Sequence, residues 1–126
     1  MEKTTTGKPG HAMYVAVRRV GRAAVARVVR EKISEHEADV VKAEALAAAA
    51  APGAGHRLVL DLSEVQMITS AGLGAMISIE RECKAAGGKV VLFGMSDELQ
   101  VLFRMTKLDR LFVVKPDEAA AVAAVG

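Results

Sequence analysis

Large aromatic side chains are almost missing from this chain of 126 residues, which has no Trp, one Tyr and three Phe. That scarcity removes the stacking platforms on which single strands and bases are usually held. Cysteine is as scarce. The single Cys83 forms no internal disulfide and, with only three scattered His, builds no metal site by spacing. Charge of one sign is not in excess, since 17 Lys and Arg face 15 Asp and Glu. So even a balance argues for no nucleic-acid partner. Long apolar runs are absent too: no stretch of about 18 apolar residues offers a membrane span, and no N-terminal segment resembles a signal peptide. The expectation is a soluble, cytoplasmic protein with no membrane insertion and no cofactor. Its length suits one domain with a modest core.

What the chain does have is one informative stretch, Leu58 to Gly74, reading LVLDLSEVQMITSAGLG. It opens with the apolar strand Leu58-Val59-Leu60-Asp61-Leu62. After a short connection, Thr69-Ser70-Ala71-Gly72 delivers the chain into a helix expected at Leu73. A hydroxyl is thereby set at a helix N-terminus, where free N–H groups and the helix dipole present partial positive charge.

The rest reads as scaffold. Residues 1–12 are polar, with Thr4-Thr5-Thr6, Gly7, Pro9 and Gly10, and suggest a flexible arm before a domain over 13–126. Met13 to Val17 and Ala23 to Val29 form an expected hairpin around Val20-Gly21-Arg22. Ser34-Glu35-His36-Glu37 fits a capping box and predicts a helix over Glu35 to Ala51, closed by Pro52-Gly53-Ala54-Gly55. His36 is read as a solvated surface residue. Leu73, Met76, Ile79, Cys83 and Ala86, with Ile77 beside them, follow helical spacing and predict one buried face. Cys83 is expected there as a small core residue. Gly87-Gly88 stops that helix, and Lys89 to Phe93 is a continuous apolar strand of the kind covered on both faces. Ser96-Asp97-Glu98 starts a third helix with Leu99, Leu102 and Phe103 as its apolar face. A last strand is expected over Leu111 to Val114, and Pro116-Asp117-Glu118 begins a terminal helix with Pro near its first position. The order is β-β-α-β-α-β-α-β-α, an α/β mixed sheet of about five strands with about four helices.

Two catalytic readings of the corner fail. Ile68-Thr69-Ser70-Ala71-Gly72 lacks the first Gly of a nucleophile elbow, and all three His precede Ser70, against the hydrolase order. Gly72-Leu73-Gly74 has Ile77 where a dinucleotide fingerprint needs its third Gly, and it lies too far from the strand. On spacing alone, Ser70 is an N-cap, with Thr69 able to serve the same end.

A family resemblance adds a second reading. Asp61-Leu62-Ser63-x-Val65-x-x-Ile68-Thr69-Ser70-Ala71-Gly72-Leu73-Gly74 resembles the signature of the STAS domain, as seen in bacterial anti-sigma factor antagonists. The similarity continues through Ala85-Ala86-Gly87-Gly88-Lys89-Val90-Val91-Leu92 and into Thr106-Lys107-Leu108-Asp109-Arg110-Leu111-Phe112. The resemblance implies a non-enzymatic partner switch. In that family, the unmodified antagonist binds an anti-sigma factor that is also a serine kinase. Phosphorylation of a Ser or Thr at the start of the central helix ends the binding, and a phosphatase resets it. By that resemblance Ser70 is the acceptor, and Thr69, Ser70, Ala71, Gly72 and Leu73 form the partner-binding corner. The family commonly carries Asp before the acceptor; Thr69 stands there here and offers an alternative acceptor. The segment Arg30-Glu31-Lys32-Ile33-Ser34 also differs from the Gly- and Asp-containing loop usual after the second strand. Two further roles fit the resemblance: a STAS scaffold subunit of a phospholipid transport complex in the membrane, and a small-ligand or nucleotide-binding module.

Overall fold

Short unbroken runs of Val, Leu and Ala put strands at the centre of this molecule. The computed structural model describes residues 13–126, and the arm expected over residues 1–12 lies outside the described residues. The main sheet contains β1 (Val15–Val20), β2 (Ala23–Val28), β4 (Arg57–Asp61), β6 (Lys89–Phe93) and β7 (Val113–Lys115), in that spatial order. β1 pairs with β2 antiparallel as a hairpin, and every later pairing is parallel. Parallel neighbours need crossovers, which α1 (Glu35–Ala49), α2 (Ser70–Ala85) and α3 (Asp97–Met105) supply. The mixed sheet and the helical crossovers are those expected from the sequence.

Side chains alternate across the sheet and define two cores. Leu58, Leu60, Val90 and Leu92 face Val41, Ala45, Met76, Ile79, Cys83, Leu99 and Phe103 on one side. Val25, Val59, Val91 and Phe93 meet Ala121 and Val125 of α4 (Glu118–Val125) on the other. Leu58, Val59 and Leu60 are each no more than 1% exposed, which explains why the central strand reads as a continuous apolar run. Each such buried side chain contributes about 1.5–3 kcal/mol.

Several boundaries differ from the sequence reading. β1 starts at Val15 and runs on to Val20, because its ladder with β2 extends to Val20↔Ala23. α1 stops at Ala49. The last strand begins at Val113 instead of Leu111, since the N–H groups of Leu111 and Phe112 both donate to the Leu108 carbonyl and finish a 3-10 turn at Leu108–Arg110. Pro116 precedes the α4 cap: Asp117 is the cap, and its carboxylate accepts from Ala120 N–H at 2.9 Å.

A second, two-stranded sheet was not foreseen. β3 (Lys32–Ile33) runs parallel to β5 (Met67–Ile68), with Ile33 opposite Ile68. This small sheet ties the start of α1 to the start of α2.

Candidate functional site

The corner is built from two similar dipeptides, Ile33-Ser34 and Ile68-Thr69, each leading into a helix. Both Ile side chains are buried, while the hydroxyl residue after each caps a helix. At α1 the Glu37 carboxylate accepts from Ser34 N–H at 2.8 Å and from the Ser34 hydroxyl. These contacts complete the capping box and hold the Glu37 carboxyl below its ordinary value.

At α2 the cap is Thr69, and this corrects both the assignment to Ser70 and the helix start at Leu73. Thr69 is extended (φ −85°, ψ 177°), and its N–H donates to the Ile33 carbonyl at 3.0 Å. Its hydroxyl donates to the same carbonyl at 3.3 Å and accepts from Gly72 N–H in a long contact of 3.5 Å. Because β3 fixes Thr69 in this way, the helix begins one residue later, at Ser70. The Ser70 hydroxyl has no hydrogen-bond partner among the described residues, and the residue is exposed.

The remaining residues expected at the partner surface divide. Ala71 is half-buried and lines an open depression of about 630 Å³ together with Ser34, Glu35, His36, Thr69 and Ser70. Gly72 is buried and turns away from it: a Cβ there would stand 2.3 Å from the Ile33 carbonyl oxygen and 2.7 Å from Ile68 Cγ2. Gly72 therefore lets α2 approach the backbone of β3, a packing role. Leu73 is only half-buried against the main core, and the buried stripe of α2 starts at Gly72 and Ala75. Ala86 is exposed, as the C-cap of α2, because the helix ends before its side chain reaches the core. Cys83 is fully buried, and burial pushes its thiol up to about 11.

Sequence reasoning missed Ser34, Glu35 and His36 as neighbours of Ser70. The signal that was available is the repeated Ile-hydroxyl pair before two helices, but only the 33↔68 pairing reveals that the two caps are adjacent. It assigned no strand within Arg30 to Ser34, noting only that the segment departs from the loop usual in the resembling family. In the structure Gln66 and Met67 N–H both donate to the Glu31 carbonyl, and Arg30 lies 4.1 Å over the Tyr14 ring. The segment is bonded through its backbone to residues 66–69, and Ser34 at its end lines the depression. Among the described residues no group of three or more His, Cys, Asp and Glu is placed to hold a metal. No helix among them is long and apolar enough to cross a membrane.

A parallel-centred sheet with three helices over one face, one over the other, and two capped helix starts meeting at one corner defines the class of domain. Residues 14–121 match the STAS domain family model, and the chain belongs to that family. The anti-sigma-B factor antagonist of Listeria monocytogenes is 36% identical over 58 residues, 46% of this chain and 51% of that protein. The chain thus matches about half the length of that curated relative. An anti-sigma factor antagonist from Mycobacterium paratuberculosis superposes with a TM-score of 0.74 at 21% identity, over 88% of this chain and 92% of that one. The phosphorylated form of the Bacillus cell fate determinant SpoIIAA gives 0.64 at 20% identity, over 89% and 99%. At these identities the structural likenesses establish the fold.

Proposed function

We propose that this chain is an anti-sigma factor antagonist-like regulatory protein whose binding to an anti-sigma factor with serine kinase activity is switched by phosphorylation of Ser70. The observation that carries this reading is the division of labour between two adjacent hydroxyls. Thr69 spends its hydroxyl on Ile33 and Gly72, whereas the Ser70 hydroxyl is exposed and unengaged. A kinase needs the acceptor oxygen free to approach the γ-phosphoryl group, and Ser70 alone of the pair offers that. The family membership and the 36% identical antagonist relative support the choice of partner. SpoIIAA, a neighbour in fold, is known in phosphorylated and unphosphorylated forms. The protein acts by binding, in the cytoplasm, and a phosphatase restores the unmodified state.

Chemistry at the corner says how such a switch works. A phosphate on Ser70 adds about −1.5 to −2 charges at the first position of α2. The helix terminus favours that anion, and Glu35 in the same depression opposes it. The domain stays folded and the change is felt by whatever packs on Ser70, Ala71, Glu35 and His36. The test is binding to the anti-sigma factor: Ser70→Asp should weaken it while Ser70→Ala binds persistently. Equal binding by both variants would leave the corner as a structural cap and favour a scaffold role.

A further inference from the structure

A second surface lies at the far end of α3, where the chain turns through the 3-10 helix toward β7. Val101 and Met105, one turn apart, point away from the buried Leu99 and Phe103 and are 43% and 76% exposed. Leu111, just beyond, is 38% exposed. Between these apolar residues stand Arg104, Lys107 and Arg110, all exposed. None of the three cations has an ion-pair partner among the described residues, although other charges on the molecule, such as Arg18 with Glu118 and Lys42 with Glu82, do. Lys107 is also held in the left-handed region at φ 63°, directly after the α3 C-cap, where glycine is the favoured residue. A charged side chain is kept there against the local backbone preference.

We propose that this face docks an acidic, amphipathic polypeptide segment. Its apolar side chains would cover Val101, Met105 and Leu111, and its carboxylates would pair with Arg104, Lys107 and Arg110. Charge decides among the occupants. A second copy of this chain meeting the same face would set an excess of cations, Arg104, Lys107 and Arg110 against the single Asp109, opposite the same excess, which is repulsive. A lipid surface is disfavoured because the patch carries no Trp or Tyr at its rim, and three cations with three apolar tips give only weak adhesion. Flexible Met105 is suited to adapt to such a segment. This inference does not depend on the role of Ser70.

The experiment is a titration of the isotope-labelled full chain, followed by NMR, with a synthetic amphipathic helical peptide. The peptide carries Leu at helical spacing flanked by Glu. A Glu→Lys version and phosphatidylglycerol vesicles serve as competitors. The acidic peptide should move the amide signals of residues 101–111. Its affinity should fall up to about fivefold in Arg104→Glu and in Arg110→Glu, the change that corresponds to losing an exposed ion pair. Met105→Glu, at a solvent-facing site, should abolish binding without altering the melting temperature. Lys107→Gly should weaken binding while holding or raising that temperature, a combination that a purely structural role for Lys107 does not give. The proposal is overturned by no binding, by equal binding of the lysine peptide, or by signal changes confined to residues 34–73. Binding of vesicles alone, or self-association through Met105 in sedimentation velocity, would overturn it in favour of the lipid or the second copy.

Discussion

At the scale of single residues, the structure separates positions that look equivalent in the sequence. Thr69 and Ser70 are adjacent hydroxyls, yet only Thr69 caps α2. Thr69→Ala should cost about 1 kcal/mol in a denaturant curve, the usual value of a lost cap, and Ser70→Ala less than about 0.5 kcal/mol. Gly72→Ala should be worse than either, by about 2–3 kcal/mol, because the added Cβ meets the Ile33 carbonyl oxygen at 2.3 Å and backbone must move. The half-buried Leu73 should tolerate truncation better than Ile79, whose loss should cost about 2–5 kcal/mol. Glu37 supplies a pH test. Its carboxyl is held below the ordinary 4.5 chiefly by the Ser34 hydroxyl, then by the Ser34 N–H. Around pH 4 the unfolded chain therefore binds more protons at this site than the folded one, and stability rises with pH. The contribution is present above pH 4.5 and is lost as pH falls through the lower folded value. Acid-unfolding curves of wild type and Glu37→Gln should differ near neutrality and converge at the acid end. Cys83 behaves in the opposite sense: its thiol, raised to about 11 from 9.0 mainly by burial, stays neutral and unreactive in the native protein. As pH climbs from 9.0 toward 11, the unfolded thiol ionises first and the folded state loses stability. Alkylation at pH 8 should label Cys83 only after unfolding.

At the scale of elements, the long segments were legible and the short ones were not. β4 and β6 announce themselves as apolar runs, and the capping box at Ser34 marks the start of α1. Each of those signals is local. The strands β3 and β5 have two residues apiece and are paired across more than thirty positions of chain, so no periodicity exists in which to see them. Missing that pairing is what moved the α2 cap from Thr69 to Ser70: the contact that fixes Thr69 comes from Ile33. The late start of β7 has a similar origin, since Lys107 in a left-handed conformation opens the 3-10 turn that consumes Leu111 and Phe112. One consequence is testable at this scale. Ser70 at the first position of α2 places a phosphate against free N–H groups, so phosphorylated protein should melt no lower than unmodified protein. A clear drop in melting temperature would mean that the phosphate disrupts α2 instead of acting on a partner.

At the scale of the whole molecule, the order of strands and helices, the mixed sheet and the family could be read from the sequence, because apolar patterning and the stretch from Asp61 to Gly74 carry them. The geometry of the corner could not, because it depends on two helix starts being brought side by side by the second sheet. That sheet makes the site a shared surface of α1 and α2, so changes at Glu35 or His36 should alter partner affinity without touching Ser70. Charge reversal of Glu35 to Lys should weaken discrimination between phosphorylated and unmodified protein, because it removes the carboxylate that opposes the phosphate. Binding titrations of both forms against the anti-sigma factor measure that ratio. The central claim, that Ser70 is the one acceptor and Thr69 its structural neighbour, is tested most directly by phosphate mapping. The protein is incubated with the proposed anti-sigma factor kinase and Mg-ATP, then intact mass and fragment spectra are recorded for wild type, Thr69→Ala and Ser70→Ala. A single phosphate on wild type and on Thr69→Ala, with none on Ser70→Ala, is the expected result; a phosphate that persists in Ser70→Ala and disappears in Thr69→Ala would contradict it.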